Sequence, residues 1–382
     1  MNKEMLAVLS TGFALFAMFF GSGNLVFPIA VGLESQGHYF TASLGVLCTC
    51  VIFPFLGMLG MMLYKGDIYE FFNCFGKKGT FLFSFLALAL MGPFGVLARC
   101  LTVIHGALTL LFPASSLMTT SLAMCAIIFF FAANRNKIIT LLGSVLTPFL
   151  LLAVAAIVFF GLKGADLQAS VGTDQLSAFT NGFFKGYQTM DLVASFFFSG
   201  FVIKHLYEAI PVNHESKSSP LKLFFQASLV GSGLLYIVYF ALVLLGWLYA
   251  PLLVDTPAQE MFGKIALASL GEMAAPAVCI AVILACLTTA IALTSLFADF
   301  LRVEMINDKI SNKLALFVTL AIAFFISNLE FSGIANFLGP ILETIYPALI
   351  TLTVVNIACK FYEVKSSHWP FTLTVVTKLC WV

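Results

Sequence analysis

The chain has 382 residues, of which 61% are hydrophobic and only 10% are charged, and its formal net charge is +1. Soluble domains carry about 25% charged residues, so this composition leaves too little polar surface for a water-soluble globule. The near-neutral charge and the lack of a basic tract argue against a nucleic-acid-binding protein. The nine cysteines have no zinc or redox spacing and indicate apolar packing residues.

Apolar runs recur along the whole chain, and each is long enough to cross a hydrocarbon core of about 30 Å. The first run exceeds the core of a signal peptide and has no small-residue cleavage site, so it predicts a spanning helix. The sequence predicts an all-α polytopic membrane protein with a single transmembrane domain, residues 1–382. Its ten spans are expected at 5–33, 39–64, 79–111, 114–133, 137–161, 183–206, 221–249, 273–302, 312–328 and 333–361, followed by an incomplete eleventh span at 368–382.

The distribution of basic residues predicts the orientation of these spans, because loops on the cytoplasmic side are rich in lysine and arginine. Of the 19 basic residues, Arg99 and Lys378 lie within spans, and Lys163, Lys185 and Lys264 lie in outer segments. The remaining fourteen lie in inner segments if the N-terminus is cytoplasmic. We therefore expect a cytoplasmic N-terminus.

The first span contains the stretch FFGSGNLVFP at residues 19–28, which combines poor helix formers with an apolar surrounding. Irregular backbone at membrane depth is tolerated where it lines a cavity or holds a ligand. Gly21, Ser22 and Gly23 are expected to unwind the helix, and Pro28 is expected to start a second half-helix. Freed carbonyls can then bind a cation, and freed amides a carboxylate. The alternative is a close helix-packing interface built from small residues.

The sixth span, GFFKGYQTMDLVASFFFSGFVIKHL, has Gly186, Asp191 and Gly200 inside or beside its apolar run. Spans one to five (residues 5–161) and six to ten (residues 183–361) have opposite orientations. Interrupted helices in matching positions of two inverted halves point to the central site of a transporter. Asp191 is expected to bind a cation, relay a proton or hold the unwound segment; the alternative places it at the outer interface.

Three further sets of polar residues lie within spans. Thr288 and Thr289, with the carbonyl of Ala285, offer neutral oxygens of the kind that Na⁺ prefers, although threonines in membrane helices often bond back to a preceding carbonyl. Arg99 is expected to reach towards a membrane surface or to pair with Glu343, which itself is expected in the lumen or at a gate; a contact of Arg99, His105 or Glu343 with substrate is the less favoured alternative. For His105 the sequence leaves the role open.

Four stretches, FALFAMFFGSGNLVFP, GYQTMDLVASFFFSG, ACLTTAIALTS and ISNLEF followed by IYP, resemble the BrnQ-type branched-chain amino acid:cation symporters (the LIVCS family). The resemblance implies a LeuT-type fold of five plus five inverted helices, with spans one and six broken. It also implies uptake of leucine, isoleucine and valine, driven by Na⁺ or H⁺, across the inner membrane of a bacterium. No cofactor other than the coupling ion is implied.

The resemblance also implies positions for the ligands. The substrate is expected at Gly21, Ser22, Gly23, Asn24, Leu25 and Asp191, with its carboxylate on the amides around residues 23–25 and its ammonium on carbonyls of the unwound sixth span. Phe196 and Phe197 are expected to face its apolar side chain. The cation is expected on the carbonyls of Ala17, Phe20 and Ala285 and the hydroxyls of Thr288 and Thr289.

Two alternatives to this function stay open. One is the transport of another neutral amino acid on the same fold. The other is a receptor or an inactive, truncated remnant, because members of that family continue through an eleventh and a twelfth span. An enzyme is not expected, since the sequence has no HExxH motif and no partnered base near residues 21–23. The oligomeric state is left open.

Overall fold

The computed structural model describes residues 3–133, 151–163, 174–209 and 220–380. In these ranges all regular structure is helical and no strand occurs. A helix satisfies the backbone N–H and C=O groups within its own segment, which a hydrocarbon environment requires. The long apolar runs therefore fold as helices.

The longer helices are numbered here in chain order. They are α1 (Lys3–Phe19), α2 (Ser22–Glu34), α3 (Tyr39–Leu63, with a π-helical turn at Cys48–Ile52), α4 (Gly76–Met91), α5 (Val96–Leu108), α6 (Leu117–Ala133), α7 (Leu151–Lys163), α8 (Gln175–Tyr187), α9 (Asp191–Ala209), α10 (Pro220–Leu248), α11 (Met261–Leu270), α12 (Ala275–Phe300), α13 (Asn312–Ser327), α14 (Glu330–Phe361) and α15 (Trp369–Cys380).

A described helix lies at the position of each of the ten predicted spans, and residues 137–150 of the fifth span lie outside the described residues. Five helical stretches, one of which is Asn73–Leu108 with its turn at residues 92–95, are long and apolar enough to cross a membrane, and the bent pair α1–α2 is a sixth when it is counted as one span. Four shorter apolar helices, at Leu117–Ala133, Leu151–Lys163, Asp191–Gly200 and Asn312–Ser327, occupy the four remaining positions. The twelve-residue α15 lies where the incomplete eleventh span is expected.

The first span is broken at residues 20–21, where the axes of α1 and α2 differ by 74°. Of the three residues expected to unwind, only Gly21 lies in the break, and Ser22 and Gly23 are the first residues of α2, so that part of the prediction is wrong. The second half starts at Ser22 rather than at Pro28, so that detail of the prediction is wrong. Gly21 is extended, with φ −119° and ψ −161°, and its amide donates to Oδ1 of Asn24 at 3.3 Å. This bond lets a new helix begin without a proline.

The sixth span is also broken, at residues 188–190 between α8 and α9. Met190 has a φ of +62°, in the left-handed region that few residues other than glycine adopt. Helix α8 begins at Gln175, earlier than the predicted start at 183, because the Asp174 carboxylate accepts a hydrogen bond from the Leu176 amide at 3.3 Å and caps the helix. Gly186 and Gly200 lie within helices and do not interrupt them.

Helix α2 of the first span packs very closely on α10 of the seventh. A Cβ atom at Gly32 would lie 2.0 Å from the carbonyl oxygen of Val243. Across the same contact, a Cβ at Gly246 would lie 2.1 Å from the carbonyl oxygen of Ile29. Only glycine allows these backbones to approach, as small residues do at membrane helix interfaces.

Helix α8 of the sixth span packs on α3 of the second span in the same way. A Cβ at Gly182 would lie 2.1 Å from the carbonyl oxygen of Ala42, and one at Gly45 would lie 2.3 Å from that of Phe179. In a repeat of five plus five helices, span one corresponds to span six, and span seven corresponds to span two. The contact between spans one and seven therefore corresponds to the contact between spans six and two. The two glycine contacts are thus the matching pair that an inverted repeat requires.

The third predicted span, residues 79–111, is not one helix. Residues 92–95 form a turn between α4 and α5, and the amide of Leu97 donates to the carbonyl of Gly92 at 3.1 Å. Pro93 cannot donate a helical hydrogen bond, and the glycines on both sides of it tolerate the turn. This interruption sets the direction of α5, which carries Arg99.

Candidate functional site

The two helix breaks are joined by a buried cluster of three polar side chains. The side-chain amide of Asn24, in α2, donates to Oδ1 and Oδ2 of Asp191 at 3.0 and 2.9 Å. The hydroxyl of Tyr239, in α10, donates to Oδ2 of Asp191 at 3.1 Å and also contacts the Asn24 amide. Asp191 is the first residue of α9, so the cluster connects spans one, six and seven.

Burial makes this cluster unusual for a membrane-spanning segment. Asp191 is 2% exposed, Asn24 is 3% exposed and Tyr239 is fully buried. A carboxylate at membrane depth costs about 2.5–3.5 kcal/mol on insertion scales, which makes Asp191 a candidate functional residue. Its partners donate hydrogen bonds but supply no positive charge. Asp191 is therefore a carboxylate that a proton or a cation can still engage.

The first break leaves backbone groups free on both of its sides. The amide of Gly21 donates to the Asn24 side chain, and no described residue donates to the carbonyl of Ala17 or of Phe20. On the other side, the amides of Gly23 and Asn24 have no acceptor among the described residues, whereas the Ser22 amide hydrogen-bonds to the Cys100 thiol. Carbonyls of this kind suit a cation, and helix N-terminal amides suit a carboxylate. The resemblance to the symporter family assigns these carbonyls to the cation and these amides to the substrate. Their contacts with either ligand remain predictions.

Helix α12 places its two threonines beside the first break. A Cβ at Gly21 would lie 3.3 Å from Oγ1 of Thr289, so the break packs against this turn of α12. The hydroxyls of Thr288 and Thr289 donate to the carbonyl of Ala285 at 2.8 and 3.3 Å. This is the back-bonded arrangement weighed above as the alternative, but it uses only the hydroxyl protons. The hydroxyl oxygens keep lone pairs that can coordinate a cation.

Arg99, in α5, is fully buried and holds the second break. Its Nη1 and Nη2 atoms donate to the backbone oxygen and Oε1 of Gln188 at 2.6 and 2.7 Å. Its guanidinium carbon lies 5.1 and 5.6 Å from the ring centroids of Phe27 and Phe331. The Gln188 amide continues the connection by donating to the carbonyl of Ala335 at 3.2 Å. Arg99 thus links α5, α2, the second break and α14.

Known proteins identify the family that shares this arrangement. A sequence profile described as "Branched-chain amino acid transport protein" matches residues 4–382. The chain belongs to this family. A protein of Staphylococcus aureus (strain bovine RF122 / ET3-1), named as a branched-chain amino acid carrier, is 28% identical over 420 aligned positions, which cover 100% of this chain and 90% of the relative. The transporter is accordingly a multi-pass membrane protein for a small amino acid substrate and not an enzyme.

Solved structures confirm the fold of this transporter. The inward-facing form of Mhp1 matches 90% of the chain and 76% of its own length, with a TM-score of 0.67 at 16% identity. A Na⁺-coupled sialic acid symporter in its substrate-bound outward-open state matches 92% of the chain and 78% of its own length, with a TM-score of 0.54 at 11% identity. The LeuT-type fold with broken first and sixth spans is therefore correct.

Phe196 and Phe197 occupy different environments on α9. The Phe196 ring is 1% exposed and packs between Phe71 and Phe72, with centroid distances of 5.4 and 5.3 Å. These partners belong to the connection between α3 and α4. Phe197 is half-buried and packs against two buried clusters. Contact of either ring with substrate remains a prediction.

Arg99 and Glu343 do not form the ion pair considered from the sequence. Glu343 is exposed on the surface of α14, whereas Arg99 is buried against Gln188. The two prolines of α14 leave that helix continuous over Glu330–Phe361. His105 is half-buried near the end of α5, and its Nδ1 atom lies 3.2 Å from Oγ1 of Thr120.

Two residues of the site are absent from the sequence-based prediction. Tyr239 completes the hydrogen bonding of Asp191, and Gln188 receives Arg99. Tyr239 lies in the apolar run YIVYFALVLLGW, where a hydroxyl at membrane depth is the available signal. Gln188 lies in the polar stretch YQTMD, which is the most polar part of the sixth span.

Proposed function

We propose that this transporter imports leucine, isoleucine and valine by symport with Na⁺ or H⁺ across the inner membrane of a bacterium. Its N-terminus is cytoplasmic in this proposal, as the basic residues of the loops predict. The family and the fold support transport of a branched-chain amino acid. The coupling to an ion and the direction of transport are proposed from the residues of the candidate site.

The observation that carries the proposal is the hydrogen bond between Asn24 and Asp191 across the two breaks. Alternating access moves the bundle that contains the broken helices against the rest of the protein around a central site. An ion that engages the Asp191 carboxylate changes the bonds it can accept from Asn24 and Tyr239. Ion binding and the geometry of the breaks are thereby coupled.

The groups near the first break accommodate a sodium ion without any further carboxylate. Among the described residues, none donates to the carbonyls of Ala17 and Phe20, and the Thr289 side chain packs on Gly21. Five neutral oxygens, from Ala17, Phe20, Ala285, Thr288 and Thr289, are the proposed ligands. In the proton-coupled version, Asp191 takes the ion instead.

The substrate side of the proposal uses the start of α2. A small apolar cavity lies beside this helix, lined among others by Leu25, Val26, Val103, Phe262 and Val282. Branched aliphatic side chains suit such walls. An apolar pocket distinguishes one methylene by only about 1–3 kcal/mol, so we propose comparable recognition of leucine, isoleucine and valine.

Symport of this kind is energetically sufficient. One cation moving down 100 mV releases about 2.3 kcal/mol. A tenfold concentration gradient contributes about 1.4 kcal/mol more. One ion per substrate then sustains a concentration ratio of some hundreds, and no nucleotide hydrolysis is needed.

The test is uptake of radiolabelled leucine into proteoliposomes that contain the full chain. A Na⁺ gradient at equal pH, a proton gradient without Na⁺, and no gradient are imposed separately, with empty liposomes as the control. We expect accumulation above equilibrium under one of the two gradients and inhibition by unlabelled isoleucine and valine. Equal uptake under all three conditions would reject symport. Uptake blocked only by other neutral amino acids would reject the substrate, and no uptake at all would favour an inactive protein.

A further inference from the structure

Arg99 carries a permanent positive charge that no described residue neutralises. The side chain is 0% exposed, and both of its acceptors belong to Gln188, which is neutral. Within the described ranges no carboxylate lies at ion-pair distance from it. An uncompensated buried charge is costly, because neutral partners replace only part of its hydration. Arg99 itself therefore lacks a directly paired negative charge among the described residues.

The guanidinium group also has donors left over. It carries five N–H groups in a planar fork, of which two are used by Gln188. Its Nε atom is buried and has no hydrogen-bond partner among the described residues. The fork geometry of arginine matches a carboxylate, which can accept two parallel hydrogen bonds from it. The missing partner thus has the charge and the shape of a carboxylate.

Arg99 lies beside both helix breaks. It binds Gln188 in the second break directly. The next residue, Cys100, lies with its Sγ 3.5 Å from the Oγ of Ser22, the first residue of α2. This turn of α5 therefore lies against the first turn of α2, which carries the free amides of Gly23 and Asn24. The opposite charge, Asp191, begins α9 at the other end of the second break.

We propose that Arg99 is the anion-binding residue of the transport site and that it binds the α-carboxylate of the transported amino acid. This inference rests on the proposed function, because it assigns a charge partner to that substrate. The carboxylate neutralises the guanidinium and takes its unused donors, together with the free amides of α2. Recognition of an amino acid then requires its negative charge.

A purely structural role for Arg99 predicts something different. In that case the guanidinium only holds the second break through Gln188, and its loss weakens every ligand equally. The two roles are separated by comparing leucine with leucinamide, which keeps the ammonium group and the side chain but has no negative charge. The measured quantity is the ratio of the two dissociation constants.

The experiment measures Kd for radiolabelled leucine, and for leucinamide by competition, on the purified full chain in detergent. We expect the wild type to prefer leucine strongly. In Arg99→Met, of similar volume, the preference is expected to fall at least about tenfold, as for loss of a hydrogen-bonded charge pair. Arg99→Lys, which keeps the charge without the fork, is expected to retain part of the preference and serves if Arg99→Met does not fold.

Gln188→Leu is the structural comparison, because it removes the same Nη2 hydrogen bond and leaves the guanidinium in place. It is expected to weaken the binding of leucine and of leucinamide together, so that the ratio of the two dissociation constants changes by less than about threefold, well inside the change expected for loss of the charge pair. An equal preference in Gln188→Leu and Arg99→Met, or an unchanged preference in Arg99→Met, would overturn the inference. A wild type that binds leucine and leucinamide equally would overturn the inference about Arg99 but not the proposed function. A wild type that binds neither would instead defeat the proposed function.

Discussion

Asn24 and Asp191 are 167 positions apart in the sequence, yet the side-chain amide of one lies 3.0 and 2.9 Å from the two carboxylate oxygens of the other. Asn24 lies in the first turn of α2, and Asp191 is the first residue of α9, so each follows a helix break closely. The contact therefore fixes the two second half-helices, α2 and α9, relative to one another. Any movement that opens the site must therefore either break this hydrogen bond or move α2 and α9 together.

Removing the negative charge of Asp191 is expected to uncouple leucine transport from the ion gradient. Asp191→Asn keeps the size of the side chain but removes the group that an ion engages, and it sets an amide against the donors of Asn24 and Tyr239. We expect ion-driven leucine accumulation in proteoliposomes to fall at least about tenfold. The control is Asp308→Asn, which removes an exposed carboxylate that pairs with Arg302 at 3.3 Å. Undiminished accumulation by Asp191→Asn would show that the carboxylate plays no part in coupling.

The hydroxyl of Tyr239 is expected to stabilise the folded protein, whereas the hydroxyl of Tyr236 is not. Tyr239→Phe removes one of the hydroxyl and amide groups that donate to Asp191 and leaves the ring packing intact. A hydrogen bond to a charged group contributes about 1.5–3 kcal/mol, so the unfolding temperature in detergent should fall by several degrees. Tyr236→Phe, on the same helix but only partly buried, should leave it nearly unchanged. Equal shifts in both variants would contradict the assigned role of Tyr239.

The paired threonines of α12 are expected to affect sodium and not protons. Thr288→Ala with Thr289→Ala removes two of the five proposed oxygen ligands, so the Na⁺ concentration for half-maximal uptake should rise at least about tenfold, given about 1 kcal/mol for each lost ligand. Thr294→Ala is the matched control, because Thr294 is buried on the same helix and donates to the carbonyl of Ala290 at 2.6 Å. An unchanged Na⁺ dependence in the double variant would place the cation elsewhere or favour proton coupling.

The first break was predictable from the sequence, because its signal is local. Two glycines, a serine and an asparagine within an apolar run disfavour the helix by their own chemistry, and the chain bends there by 74°. Pro28 nevertheless lies inside α2, since the Asn24 side chain takes up the Gly21 amide and the new helix starts earlier.

The second break is not visible in the same way. Residues 188–190 include neither glycine nor proline, and the nearby Gly186 stays helical. Its position depends on tertiary contacts, chiefly the bond from Arg99 to the Gln188 carbonyl, which replaces a helical hydrogen bond. Such a contact between distant spans leaves no periodicity in the sequence. The position of the break in the sixth span could therefore be predicted only approximately.

The glycines that bring α2 and α10 together offer a test of the packing itself. Gly32→Ala would place its Cβ 2.0 Å from the Val243 carbonyl oxygen, so the two helices must separate. Overpacking of this kind costs about 1–3 kcal/mol, and we expect a fall of several degrees in the unfolding temperature together with reduced uptake. Gly233→Ala is the control on α10, because nothing lies within 4 Å of its added Cβ. Alanine is a better helix former than glycine by about 1 kcal/mol, so this variant should be neutral or slightly stabilised. If both variants behave alike, the close approach of α2 and α10 is not what holds the broken first span in place.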